Sequence, residues 1–67
     1  MLDEEEKIRL RKILQKRNTK TSAADLAKEY NVSTATMRKA LLSNEILSDG
    51  SWALIALAQS RLDRVQP

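Results

Sequence analysis

Residues 23–41 read Ala23-Ala-Asp-Leu-Ala27-Lys-Glu-Tyr30-Asn31-Val32-Ser33-Thr-Ala-Thr-Met37-Arg-Lys-Ala-Leu41, two amphipathic patterns separated by a three-residue break. In the first, Ala23, Leu26, Ala27 and Tyr30 recur at the i, i+3, i+4, i+7 spacing that lines one face of a helix. Asn31 is expected to end that helix, because Asn tolerates the left-handed backbone of a tight exit. Ser33 is a natural N-cap for the next helix, whose inward side is Met37, Ala40 and Leu41 and whose outward side is Thr34, Ala35, Arg38 and Lys39. The two helices are predicted over residues 22–30 and 34–42. Ser22 with Asp25 makes a capping-box-like start, and Thr21 is the rival cap.

Upstream, Leu10, Ile13 and Leu14, with Leu2 and Ile8 at the margin, predict a helix over residues 3–17 that no Gly or Pro interrupts. Residues 18–21 form the link. Downstream, Ser43, Asn44 and Glu45 loosen the chain, and Ile46 and Leu47 are expected to tuck back. Ser48-Asp-Gly50 marks a turn, and Ser51 caps a last helix over residues 51–65. That helix opens with seven consecutive apolar residues, 52–58, so it is apolar nearly all round for two turns. Leu54, Leu57, Ala58, Leu62 and Val65 are expected to pack on the domain. Trp52, Ile55, Ala56 and Gln59 are expected to face a second copy.

The 67 residues include no Phe, Cys or His. A chain of about 60 residues buries only about 60% of its unfolded surface, so a core without Phe, disulfide or metal points to completion by another protomer. Without thiol or imidazole there is no such nucleophile or base and no ordinary zinc site, so neither an enzyme nor a cofactor or metal partner is expected. No stretch approaches the roughly 20 apolar residues of a membrane span, and the first residues are acidic where a signal peptide is basic. The expectation is one cytoplasmic domain over residues 1–67, with no membrane partner.

The net charge of +3 is unevenly placed. Residues 1–6 carry Asp3, Glu4, Glu5 and Glu6, whereas residues 7–20 carry Lys7, Arg9, Arg11, Lys12, Lys16, Arg17 and Lys20 with no acid. Such a block suits a polyanionic partner, which releases counterions when clustered cations bind it. The same layout also complements a helix macrodipole, with Asp3 and Lys7 or Glu5 and Arg9 as i,i+4 pairs.

Residues 23–41 resemble the helix-turn-helix of DNA-binding transcriptional regulators. In that family an Ala sits where the second helix crosses the first, a small or Gly turn residue follows four positions on, and a branched apolar residue comes next; these are Ala27, Asn31 and Val32 here. Met37, Ala40 and Leu41 occupy the positions that lock the helices together. A larger side chain at 27 would push the helices apart, and Val32 plugs the corner. Residues 25–41 look like the reading segment of GntR-type regulators, which continue into a β wing. This chain runs directly into an apolar helix with no alternating strand pattern, so no wing is expected. Over residues 22–65 it is similar to the small anti-CRISPR-associated autorepressors of phages and mobile elements, sharing Val32-Ser33 and Met37-Arg38. Arginines of that family fall on Ala24, Asp25 and Ala35 here, so those contacts do not carry over.

The resemblance implies an all-α fold of four to five short helices with a central helix-turn-helix and a C-terminal dimerisation helix. It also implies a bacterial or phage-encoded, nucleoid-associated homodimeric repressor of a palindromic double-stranded DNA operator. In that mode Thr34 and Ala35 approach a thymine methyl or base edge, Arg38 bridges guanine O6 and N7, and Lys39 meets a base edge or phosphate. Lys16, Arg17, Lys20, Thr21, Ser22 and Ser33 fall to phosphates, with Lys28 a weaker candidate. The motif core is Leu26, Ala27, Tyr30, Val32, Met37, Ala40 and Leu41. Two bland readings compete: an αα-hairpin of any small bundle needs the same apolar spacing, and the apolar last helix with a basic face also suits a protein-interaction module. RNA is disfavoured, because Tyr30 and Trp52 are the only aromatic residues and both have packing roles to fill.

Overall fold

In the computed structural model, which describes residues 2–44 and 46–65, α1 (Glu4–Asn18) begins where the Asp3 carboxylate accepts the Glu6 amide at 2.8 Å. Glu4, Glu5 and Glu6 fill the first turn and Lys16 and Arg17 the last, so both macrodipole ends meet opposite charge. Asp3 is thus a cap and not a partner for Lys7. The ion pairs along this helix are spaced i,i+3, with Lys7 3.8 Å from Glu4 and Arg9 2.5 Å from Glu6. After α1 the chain folds back on its end: the Asn18 side-chain amide donates to the Thr21 carbonyl at 2.9 Å and the Thr19 hydroxyl to the Lys16 carbonyl at 2.7 Å.

Ser22, not Thr21, caps α2 (Ala23–Tyr30), its hydroxyl accepting the Asp25 amide at 3.2 Å. Asn31 leaves the helix at φ 59°, ψ 43°. Val32 N–H reaches back to the Ala27 carbonyl at 3.0 Å and Asn31 N–H to that of Lys28 at 3.3 Å, the two bonds of a Schellman exit. The next helix, α3 (Thr34–Leu41), starts at once because the Ser33 hydroxyl accepts the Thr36 amide at 3.0 Å. A β-branched residue pays the full left-handed penalty at position 31. Asn31→Val is therefore expected to lower unfolding free energy by about 1–2 kcal/mol in urea titrations. Asn31→Gly should leave it nearly unchanged.

The last carbonyls of α3 have no partner within their own helix, and α1 supplies it. Arg11 Nε donates to the Ala40 carbonyl and Gln15 Nε2 to that of Leu41, both at 2.8 Å, and the guanidinium sits at the negative end of the α3 dipole. Leu42 is extended, and Ser43 and Asn44 form a turn. Leu47 turns into the core, but Ile46 does not, being 92% exposed. The final helix, α4 (Asp49–Val65), starts two residues ahead of the expected Ser51. The Ser48 hydroxyl accepts the Ser51 amide at 3.3 Å and the Ser48 carbonyl the Trp52 amide at 3.1 Å. Ser48-Asp-Gly50 is thus the opening of the helix itself. Lys7 Nζ holds Asp49 at 2.8 Å and ties α1 to this helix start.

One buried cluster joins the four helices: Leu10 and Leu14 from α1, Leu26, Ala27 and Tyr30 from α2, Met37 and Ala40 from α3, then Leu47, Trp52 and Ile55. Val32 and Leu41 pack at its margin. The orientation of α4 is the reverse of the expected one. Trp52 and Ile55 are 3% and 0% exposed and face the domain with Ala56, whereas Leu54 and Leu57, expected inward, are 52% and 50% exposed. The physical reason lies in volume and charge: with no Phe in the chain, the indole of Trp52 fills the space between α1 and α4. The Arg11 guanidinium, already fixed on α3, lies 5.4 Å from the indole centroid. Ala58 and Leu62 do pack against the core as expected. Glu45, expected in the loop, the Val65 side chain, expected inward, and residues 1, 66 and 67 lie outside the described residues.

The radius of gyration is 10.9 Å, the value of about 11 Å that a folded chain of this length should have. The described residues are all-α, with four helices and no strand, and no helix among them is long and apolar enough to cross a membrane.

Candidate nucleic-acid interface

Met37 and Ala40 are fully buried, and that rotation of α3 leaves Ala35, Arg38 and Lys39 exposed, with Thr34 and Thr36 half-buried. Arg38 and Lys39 form no ion pair among the described residues, so their charges face solvent uncompensated. Ser22 and Ser33 each use their hydroxyl as a helix cap, and the Ser33 hydroxyl also donates to that of Thr36 at 2.8 Å. What these two helix starts turn outward is backbone N–H and the positive end of a dipole.

The cationic block of residues 7–20 divides in two. Lys7 binds Asp49, Arg9 binds Glu6, and Arg11 serves the end of α3. Asp49 holds the Lys7 ammonium above its ordinary pKa through a hydrogen bond, and the same bond holds the Asp49 carboxyl below the usual carboxylate range. A carboxyl depressed on folding stabilises the fold above its unfolded pKa, and the contribution is lost as pH falls through the folded value. This strap therefore operates at neutral pH and opens in acid.

Arg17, expected on a phosphate, is drawn into the protein. Its Nη2 lies 2.7 Å from Glu29 Oε1, its Nη1 donates to Tyr30 Oη at 3.1 Å, and its guanidinium stacks 5.6 Å from the Tyr30 ring centroid. The Glu29 hydrogen bond, then that of Tyr30, raises its pKa further. Tyr30 Oη donates in turn to Gln59 Oε1, and Gln59 Nε2 to Asp63 at 3.1 Å. Gln59, expected to meet a second copy, is thus the α4 end of a polar chain that crosses from α1 through α2. The hydroxyl of Tyr30 needs such partners because its ring is 1% exposed.

Lys12, Lys16 and Lys20 remain exposed with no ion pair among the described residues. Lys12 and Lys16 lie one turn apart on the face of α1 opposite Leu10 and Leu14, and Lys20 follows in the link. Lys12 was missing from the expected contacts, although its i,i+4 spacing from Lys16 marks it. Thr21 is half-buried, its amide bonded back to the Arg17 carbonyl at 3.0 Å. The surface thus offers fixed backbone dipoles at two helix starts, a short helix with two free cations, and a lysine row, all suited to binding an extended polyanion. No protein-family model, no curated protein and no solved structure matches the chain.

Proposed function

We propose that this chain is a sequence-specific double-stranded DNA-binding transcriptional regulator, a homodimeric helix-turn-helix repressor that occupies an inverted-repeat operator. The observation that carries the reading is the α2–α3 joint. A Schellman exit at Asn31 is followed by immediate recapping at Ser33, Ala27 and Ala40 are buried where small side chains allow close packing, and Arg38 and Lys39 are left free outside. An ordinary hairpin needs the buried half of this arrangement but not the outer half. An autorepressor of a phage or mobile-element operon, acting at the nucleoid by blocking polymerase, is the form the resemblance implies.

In this reading α3 enters the major groove, with Thr34 and Ala35 toward a thymine methyl or base edge and Arg38 on guanine. Lys12, Lys16, Lys20 and Lys39, with the N–H groups at Ser22 and Ser33, hold phosphates. Two-fold symmetry sets the half-sites about 34–36 Å apart. Arg38→Ala is expected to relax preference at one base position by about 1–3 kcal/mol, whereas Lys20→Ala weakens all duplexes alike and lowers the salt slope by about 1. Fluorescence anisotropy with operator and random duplexes separates the two. Equal loss on both for Arg38→Ala contradicts its base-reading role. A protein-interaction module is the second reading, favoured by the exposed Leu54 and Leu57. Absence of any duplex binding at low salt would select it.

A further inference from the structure

The far end of α3 is tied down carbonyl by carbonyl. Its last four carbonyls are those of Arg38, Lys39, Ala40 and Leu41, groups that a helix leaves without partners of its own. The Leu42 amide donates to the first two, at 3.2 and 3.3 Å. Arg11 Nε and Gln15 Nε2 donate to the last two, both at 2.8 Å. Water satisfies carbonyls at an exposed helix end as well, and one more hydrogen bond adds little net stability. What a donor fixed on a neighbouring helix adds is direction.

Direction matters because α3 is only 8 residues long, and helices below about 12–15 residues are marginal on their own. Its start is fixed to α2 by the Asn31 exit and the Ser33 cap. Its other end runs into extended Leu42 and the turn at Ser43 and Asn44. The buried Met37 and Ala40 set its rotation, so its tilt rests on the attachment to α1. Arg11 and Gln15 lie one turn apart on α1 and offer one face to two successive carbonyls. Each is followed by a lysine of the exposed row, Lys12 and Lys16, about 100° further round the same helix. The turns of α1 that grip the end of α3 therefore also carry the outward cations.

We propose that Arg11 and Gln15 are positioning residues for DNA recognition. They set the tilt of α3 against α1, so that the base-reading side chains of α3 and the phosphate-binding lysines of α1 meet a duplex as one rigid body. This deepens the DNA-binding reading above and rests on it. A recognition constellation works only when held to within about 0.5 Å and 10–20° of its productive geometry, and Arg38 lies within one turn of both held carbonyls.

Gln15→Met removes a donor at an exposed position and keeps the length of the side chain. The probes are a duplex that the wild-type protein selects from genomic fragments and a random-sequence duplex of equal length. The ratio of the two affinities is expected to fall about tenfold, within the discrimination that one well-placed arginine–guanine pair supplies. Affinity for the random duplex and its salt slope are expected to stay at their wild-type values. Amide hydrogen exchange is expected to quicken at Leu42, which closes the same helix end, and to hold at Leu26 in α2. Arg11→Met is expected to lower the ratio likewise, with a lower melting temperature because the guanidinium also lies on the Trp52 ring. If that variant unfolds, Gln15→Met decides alone. A role in stability only lowers both affinities by one factor and leaves the ratio, and a phosphate contact flattens the salt slope. Either result for Gln15→Met, or unchanged exchange at Leu42, overturns the proposal. A wild type that prefers its selected duplex beside a Gln15→Met protein with the same preference removes the positioning role and keeps the regulator reading. A wild type that binds no duplex, or all duplexes alike, removes the regulator reading and the positioning role with it.

Discussion

Trp52→Ala unfolds the protein at room temperature: circular dichroism is expected to show loss of helix in buffer without denaturant. The indole is 3% exposed and is the largest side chain in the core. Truncating a buried Trp costs about 3–5 kcal/mol. Marginal stability of about 0.05–0.15 kcal/mol per residue gives a domain of this size roughly 3–10 kcal/mol in all. The loss is compounded because Arg11 is held on two sides, by the Ala40 carbonyl and by the face of the indole. Removing the ring loosens the side chain that satisfies the end of α3, so the damage spreads from α4 to the proposed recognition helix. Retention of a cooperative helical fold by Trp52→Ala would contradict the central place given to this residue. Loss of dimerisation alone would return Trp52 to an interface.

The second large effect is on DNA affinity. A dimer that contacts about 6–10 phosphates is expected to lose about 10³–10⁵ in affinity between 50 and 200 mM salt. In the proposed dimer, the row Lys12, Lys16 and Lys20, with Lys39, would supply such contacts twice over. Arg17 does not belong to the set, because Glu29 and Tyr30 hold it. Lys12→Ala and Lys16→Ala should each flatten the salt slope by about 1, whereas Arg17→Ala should lower thermal stability and leave the slope of the folded protein unchanged. Anisotropy titrations over a salt series test this, and a flat response from the wild type counts against phosphate binding altogether.

The first three helices were legible because each has an apolar spacing of one phase, uninterrupted by Gly or Pro in the first, and because Ser22 and Ser33 can each accept a first-turn amide and Asn31 can turn left-handed. The cap at Asp3 was not read, its charge pointing instead to Lys7. In the last helix, seven apolar residues in succession fit every rotation, and only packing into the shared core with α1 and α2 selects Trp52 and Ile55. Ser48 and Ser51 are equally good caps in isolation, and the choice falls to Ser48, where Asp49 comes within reach of Lys7. Contacts between residues far apart in the chain were illegible for a related reason. Nothing near Arg11 or Gln15 announces carbonyls 29 and 26 residues away, respectively, and nothing near Arg17 separates a phosphate ligand from a strut on Tyr30. At the candidate interface, the outward side of α3 followed from its inward one. The lysine row emerged only once the engaged cations of the basic block had found their partners.

The most direct test is selection of duplexes from a genomic-fragment pool by the purified protein, followed by competition against random DNA. Fragments sharing an inverted repeat with half-sites one helical turn apart, and binding at least about 10³-fold more tightly than random duplex, are the predicted result. Recovery of fragments with no common sequence, displaced equally well by random DNA, would contradict it.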